Sequence, residues 1–241
     1  MIDGGVRLGA AARRIVAEFV GTALLLAGIV GSGIMAQRLS SDAGLQLLEA
    51  ALATGAVLVA LILALGPVSG AHINPAVTVA DLVFGGLPPR EAAGYVAAQV
   101  SGAVVGVVAA NLMFDLPAVE IAGTVRSGSH LWLAEAVATL GLLLVIFGIV
   151  RSGRSDVVAF AVGGYIAAAY FFTSSTAFAN PAVTIARMFS DTFAGIAPGS
   201  VPAFLGAEVV GTVVAVGLIA VLYPSMSDVA DRVIVPHGED R

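Results

Sequence analysis

One seven-residue phrase occurs twice in the chain, as Asn74-Pro75-Ala76-Val77-Thr78-Val79-Ala80 and as Asn180-Pro181-Ala182-Val183-Thr184-Ile185-Ala186. Asparagine is a good helix N-cap and proline is favoured at the first helical position, so each phrase is read as the start of a helix. The asparagine oxygen can cap the first backbone N–H groups, which leaves the amide N–H groups to donate elsewhere. Three acids, Glu18, Glu135 and Glu208, lie in otherwise apolar stretches. An acid in such a place is a functional suspect, for example as a proton relay in a transporter. Two of them are related by a second repeat, Ala17-Glu18-Phe19-Val20-Gly21-Thr22 against Ala134-Glu135-Ala136-Val137-Ala138-Thr139, and Glu208 matches Gln99. That pairing favours a scaffolding role. Chemistry of other kinds finds no residues. There is no cysteine, and the three histidines, His72, His130 and His237, are scattered. No metal site, no cofactor and no nucleophile–base set is expected, so the chain does not read as an enzyme.

The elements that position these residues follow from composition. Of 241 residues, 59% are hydrophobic and 11% charged, with a mean hydropathy of +1.00. Soluble domains carry roughly 25% charged residues, so lipid is the natural solvent. The net charge of −5 argues against a nucleic-acid partner. Long apolar runs cover 15–35, 45–65, 92–114, 131–150, 157–172 and 201–223. The fifth is short unless its Ser/Thr-rich end carries it to Ala177. The first run is long and no small-residue cleavage pattern follows it, so it does not read as a signal peptide. Arg7, Arg13, Arg14, Arg90, Arg151, Arg154, Arg232 and Arg241 fall on one side of six spans, and Arg38, Arg126 and Arg187 on the other. The positive-inside rule then puts both termini in the cytoplasm of a cell (inner) membrane protein.

The order of segments is the same in both halves: acidic span, second span, Asn-Pro-Ala segment, third span. The chain is read as a tandem duplication, with a first repeat over 15–114 and a second over 130–223. A cytoplasmic segment (1–14), an external connecting loop (115–129) and a cytoplasmic tail (224–241) complete it. Three spans per copy invert the second copy relative to the first. The leftover helices, Pro75–Phe84 and 181–189, are long enough for about half a bilayer. Entering from opposite faces, they would meet N-terminus to N-terminus near the midplane, with both positive dipole ends at one spot. Such a site favours a neutral solute with an acceptor oxygen and repels cations and protons. The expected fold class is an all-α membrane protein, an inverted repeat of six transmembrane helices plus two re-entrant half-helices.

With these features, Ser69-Gly70-Ala71-His72-Ile73-Asn74-Pro75-Ala76-Val77-Thr78 closely resembles the first signature of aquaporins and aquaglyceroporins. The resemblance covers about residues 13–223. It implies an aquaporin-like channel, a homotetramer with one pore per subunit, and pore motifs at Asn74, Pro75, Ala76, Asn180, Pro181 and Ala182. In the family, the acids matching Glu18 and Glu135 hold the backbone of the half-helix loops, and His72 supports its loop. The GxxxG spacing of Gly102 and Gly106 permits close helix contact, read here as a contact inside the subunit.

Selectivity departs from the family's common pattern. Most relatives place arginine directly after the second Asn-Pro-Ala, where this chain has Val183. Counting back from Asn180 without gaps puts the other positions of the outer constriction on Thr54, Ala168 and Ala177. The expected ring Thr54/Ala168/Ala177/Val183 is small-walled and uncharged. A gap would put Phe178 in place of Ala177, a greasy wall as in glycerol channels. Arg187 lies one turn beyond Val183 on the same face, where it could act as a displaced filter charge. The preferred reading is an arginine snorkelling to the headgroups. Val183 and the second motif resemble a bacterial aquaglyceroporin-like subgroup associated with arsenic resistance. The resemblance implies a passive channel for glycerol-like polyols, undissociated metalloid acids such as arsenite, other neutral arsenicals and water. The alternatives are a channel mainly for water and, further off, a secondary transporter.

Overall fold

The computed structural model describes residues 9–224 and Met226; Arg7, Arg232, Arg241 and His237 lie outside the described residues. Every regular element among the described residues is helical. Six helices are long and apolar enough to cross a membrane. They are α1 (Ala10–Leu39), α2 (Ala43–Ser69), α4 (Pro89–Met113), α5 (Ser129–Arg151), α6 (Val158–Phe172, preceded by a 3₁₀ turn) and α8 (Val201–Leu222). The two short helices are α3 (Pro75–Phe84) and α7 (Pro181–Ala186), the latter continued by a 3₁₀ turn at Arg187–Phe189. The fifth span ends at Phe172, and its Ser/Thr-rich sequel is a loop rather than more helix.

Local chemistry sets these boundaries. The Asp42 carboxylate accepts the Leu45 N–H at 2.8 Å and caps α2. Gly70 closes α2 and Gly85 closes α3 in the left-handed region, at φ 84° and 88°, where glycine has no Cβ to clash. The long helices then pack at small residues. A Cβ on Gly102 of α4 would lie 2.3 Å from the Phe19 carbonyl oxygen of α1, and one on Gly106 would lie 2.1 Å from that of Ala23. Gly211 of α8 meets Ala136 of α5 in the same way, at 2.5 Å. The GxxxG pair therefore serves contact within the subunit. Large apolar side chains on all six spans face outward, among them Leu24, Leu52, Val105, Val137, Phe160 and Val213. In water they would be a liability; in hydrocarbon they are the solvated surface.

Candidate functional site

The two half-helices start back to back at the centre of the bundle. Asn74 accepts the Ala76 N–H at 2.8 Å through its side-chain oxygen, and Asn180 accepts those of Ala182 and Val183 at 3.0 and 3.4 Å. Each amide nitrogen then crosses to the other repeat. Asn74 Nδ2 donates to the Ala179 carbonyl at 2.8 Å, and Asn180 Nδ2 donates to the Ile73 carbonyl at 2.9 Å. Each asparagine has a second N–H that these bonds leave over, and both residues line the lumen. Pro75 and Pro181 occupy the first helical position, where the missing N–H costs nothing.

The loops that lead into these helices are strained. Ala71 and Ile73 in one repeat, and Thr176, Ala177 and Ala179 in the other, hold positive φ between 42° and 66°. Such conformations cost of order 1–3 kcal/mol each and persist only where the surroundings over-determine them. The buried acids do so. Glu18 accepts the N–H groups of His72 and Ile73 at 3.0 and 2.7 Å, the Ser69 hydroxyl at 2.7 Å and the Gln99 amide at 2.7 Å. Glu135 accepts the N–H groups of Phe178 and Ala179 at 2.9 and 2.8 Å. Glu208 accepts the Asn180 N–H at 3.1 Å and the Thr184 hydroxyl at 2.6 Å. His72 is buried with its Nδ1 3.1 Å from Thr78 Oγ1 and its Nε2 3.6 Å from Asp81. Asp81 is an acid the sequence reading passed over; its signal was a lone carboxylate on an apolar half-helix.

A narrow lumen of about 50 Å³ runs past this junction. Apolar rails wall it: Leu25 and Ile29 from α1, Leu58 and Ile62 from α2, Leu142 and Ile146 from α5, Val162 and Ile166 from α6. Their spacing of four residues keeps each rail on one helix face. The loop residues Ala71–Ile73 and Ala177–Ala179 supply the other wall. Toward the end of the bundle that carries the connecting loop, Thr54, Ala177, Phe178 and Val183 all line the lumen.

Two expectations need correction there. Ala168 does not line the lumen but is exposed on the outer face of α6. The rail 162/166/170 puts Tyr170 in its place, and a residue two positions away points roughly 200° around the helix. Ungapped counting overshot by two residues: the lumen-facing residue of α6 lies ten positions before Asn180, not twelve. The Tyr170 and Thr54 hydroxyls lie 3.0 Å apart, so the ring has an aromatic, polar wall rather than a small one. Nor does Arg187 snorkel. It is 5% exposed, its Nε donates to the Ala194 carbonyl, and its guanidinium lies 3.5 Å from the Phe178 ring centroid. Burial on the lumen side, stacked on an aromatic face, is the displaced-charge geometry.

The family model described as Major intrinsic protein matches residues 6–173. This chain belongs to the major intrinsic protein family. It is 52% identical over 206 residues to the aquaglyceroporin AqpS of Rhizobium meliloti (strain 1021), covering 86% of this chain and 88% of that protein. It is also 38% identical over 152 residues to aquaporin-2 of Rattus norvegicus, covering 60% of this chain and 54% of that protein. The solved aquaglyceroporin structure from Plasmodium falciparum shares its fold, with a TM-score of 0.68 at 24% identity, over 90% of this chain and 98% of that one. As a major intrinsic protein the chain is a multi-pass membrane channel and not an enzyme. The family match stops before Asn180, ahead of the segment where Val183 and Arg187 depart from the common pattern.

Proposed function

We propose that the lumen conducts small uncharged solutes of glycerol size, including undissociated metalloid acids such as arsenite, together with water. One observation carries the reading. Val183 stands at the lumen directly after the second Asn-Pro-Ala, where most relatives carry arginine, and Arg187, one turn on, lies at the same lumen stacked on Phe178. An arginine at position 183 would fill part of the opening and bind acceptor oxygens tightly. Valine leaves an apolar wall that can pass the carbon side of a polyol, while the Thr54 and Tyr170 hydroxyls and the asparagine amides bind its oxygens. The apolar rails offer nothing to a charged form of the same solute, whose desolvation is costly. The name of the relative AqpS, an aquaglyceroporin, points the same way. We further propose that the connecting-loop end faces outward, that both termini are cytoplasmic in an inner membrane, and that four copies assemble with one pore each.

Stopped-flow light scattering on reconstituted vesicles tests this. The parent is expected to pass glycerol and neutral arsenite at rates linear in the gradient and indifferent to ion gradients. Val183→Arg should suppress glycerol flux more than water flux, by on the order of a hundredfold for a few kcal/mol of barrier. If Val183→Arg leaves the glycerol-to-water ratio unchanged while Arg187→Ala raises it, Arg187 is the filter and the proposal fails.

A further inference from the structure

Beyond the lumen, the connecting-loop end of the bundle opens into a vestibule of about 120 Å³ that holds two arginines, Arg126 and Arg187. One water needs about 10–15 Å³ of such space, so the vestibule has room for more than solvent in single file. Both guanidinium groups face the same aromatic ring, at 5.3 and 3.5 Å from the Phe178 centroid. Loop carbonyls fix them there: Arg126 Nε donates to Gly195 at 2.9 Å and its Nη2 to Phe193 at 3.2 Å, while Arg187 Nε donates to Ala194. Each guanidinium carries five N–H donors, and these bonds use a minority of them. Among the described residues no acid lines the vestibule; its other polar side chains are Tyr170 and Thr176. Glu135 lies deeper, engaged with the Phe178 and Ala179 N–H groups, and the exposed Asp191 accepts the Gly123 N–H at 2.9 Å. Two like charges thus share one cavity with no carboxylate among its described lining residues, and the deeper Glu135 supplies both with a partial counter-charge. Their repulsion is relieved by a counter-charge between them.

We propose that this vestibule is a binding site for a small oxyanion, such as sulfate, phosphate or a short carboxylate, held between Arg126 and Arg187. Planar guanidinium groups match oxyanion geometry and make short, charge-assisted hydrogen bonds to it. The anion does not continue through the protein, because the lumen below is narrow and walled by Ile29, Leu58, Ile62 and their counterparts. It caps the pore instead, so occupancy opposes solute flux from that side. The site concerns the same pore mouth as the proposed function, so its test includes binding readouts that need no flux.

Purified parent protein in phosphate-free detergent is titrated with sodium sulfate against sodium chloride at matched ionic strength. The expected result is a saturable rise in unfolding temperature with sulfate alone. In the same samples, bound sulfate should protect Arg126, but not Arg90 or Arg154, from an arginine-directed dicarbonyl reagent, as mapped by mass spectrometry. Arg126→Gln should raise the required sulfate concentration about tenfold, and Arg126→Lys by less, since it keeps the charge but not the fork. In phosphatidylcholine vesicles, sulfate on the connecting-loop side should bring glycerol flux down to about half of its anion-free value when the site is half occupied, and toward zero at saturation. Absence of a saturable shift and of Arg126 protection in the folded parent overturns the site, as does equal sulfate affinity in Arg126→Gln. Saturable binding that leaves flux unchanged overturns the capping role.

Discussion

At the scale of single residues, the two repeats solve one problem with different atoms. Each must hold a strained loop in the left-handed region, and each uses a buried glutamate that accepts consecutive backbone N–H groups. Replacing Glu18 by glutamine keeps the shape but turns an acceptor into an N–H₂ that faces donors. The Ser69 hydroxyl, two backbone N–H groups and the Gln99 amide then compete for one oxygen. A hydrogen bond to a charged group contributes about 1.5–3 kcal/mol, so Glu18→Gln should cost on the order of 3 kcal/mol, and Glu135→Gln a similar amount. Thermal unfolding in detergent measures it. Solute flux per folded molecule should stay uncoupled to protons; proton-driven uptake in the parent that either change abolishes would mean that the acids are relays. The repeated acids and the paired Asn-Pro-Ala phrases were legible in the sequence because their function depends on residue type at a fixed local offset. Tyr170 was not, because its place depends on the length of a loop. Its side chain also stands where removal should open the ring: Tyr170→Ala is expected to raise glycerol flux more than water flux, read by light scattering. An unchanged ratio would remove Tyr170 from the constriction.

At the scale of elements, contact between helices rests on the absence of side chains. The spans were readable from hydropathy alone, with ends displaced by a few residues, because a membrane helix must satisfy its own backbone over a fixed thickness. The neighbours of each span were not readable. Gly102 and Gly106 could have served another subunit, and only the approach of the Phe19 and Ala23 carbonyls assigns them to α1. A side chain at Gly102 would have to push backbone away, since the atoms it meets are a carbonyl and its Cα rather than a flexible tip. Gly102→Val is therefore expected to separate α1 from α4, to displace Glu18 from the loop it holds, and to cost at least about 3 kcal/mol, in the range of severe overpacking. Gly206 has open space at its Cβ, so Gly206→Ala on α8 should be close to neutral. Comparing the unfolding temperatures of the two variants checks the argument; equal losses would show that the helices tolerate the wider spacing. The end of α6 teaches the same lesson from the other side. Its Ser/Thr-rich tail had the hydropathy to extend the helix, but Thr173 takes an extended backbone and Thr176 and Ala177 turn left-handed, so the segment becomes the lumen wall.

At the scale of the whole molecule, inversion of the two repeats creates a field that neither half has alone. The N-termini of α3 and α7 meet where Asn74 and Asn180 reach across to each other's loops. Each helix end carries roughly half a positive charge, and α7 is short enough that its capped N–H groups, rather than a long dipole, carry its share. With Arg187 and Arg126 toward one mouth, positive groups stand from the vestibule to the midpoint, and no acid is among the described residues that line it. Cations and protons should be excluded while neutral solutes pass. The absence of cysteine adds a simpler whole-chain property, namely no thiol-dependent block by mercury that a reductant reverses. The field itself is tested at Asn180. Aspartate caps a helix about as well as asparagine, so Asn180→Asp keeps the Ala182 and Val183 N–H groups satisfied. It removes the donor to the Ile73 carbonyl and places a carboxylate at the point where the two positive ends meet. The neutralised junction no longer repels a cation, and the carboxylate offers a proton a resting place between the two mouths. Proton leak under an imposed pH gradient, followed with an entrapped pH-sensitive dye, should rise by about tenfold or more, as one charge at this spacing alters the barrier by at least about 1.4 kcal/mol. Glycerol flux should persist, which separates loss of selectivity from loss of fold. A variant that conducts glycerol at the parent's rate and remains as tight to protons as the parent would place the barrier at the arginines instead of at the helix junction.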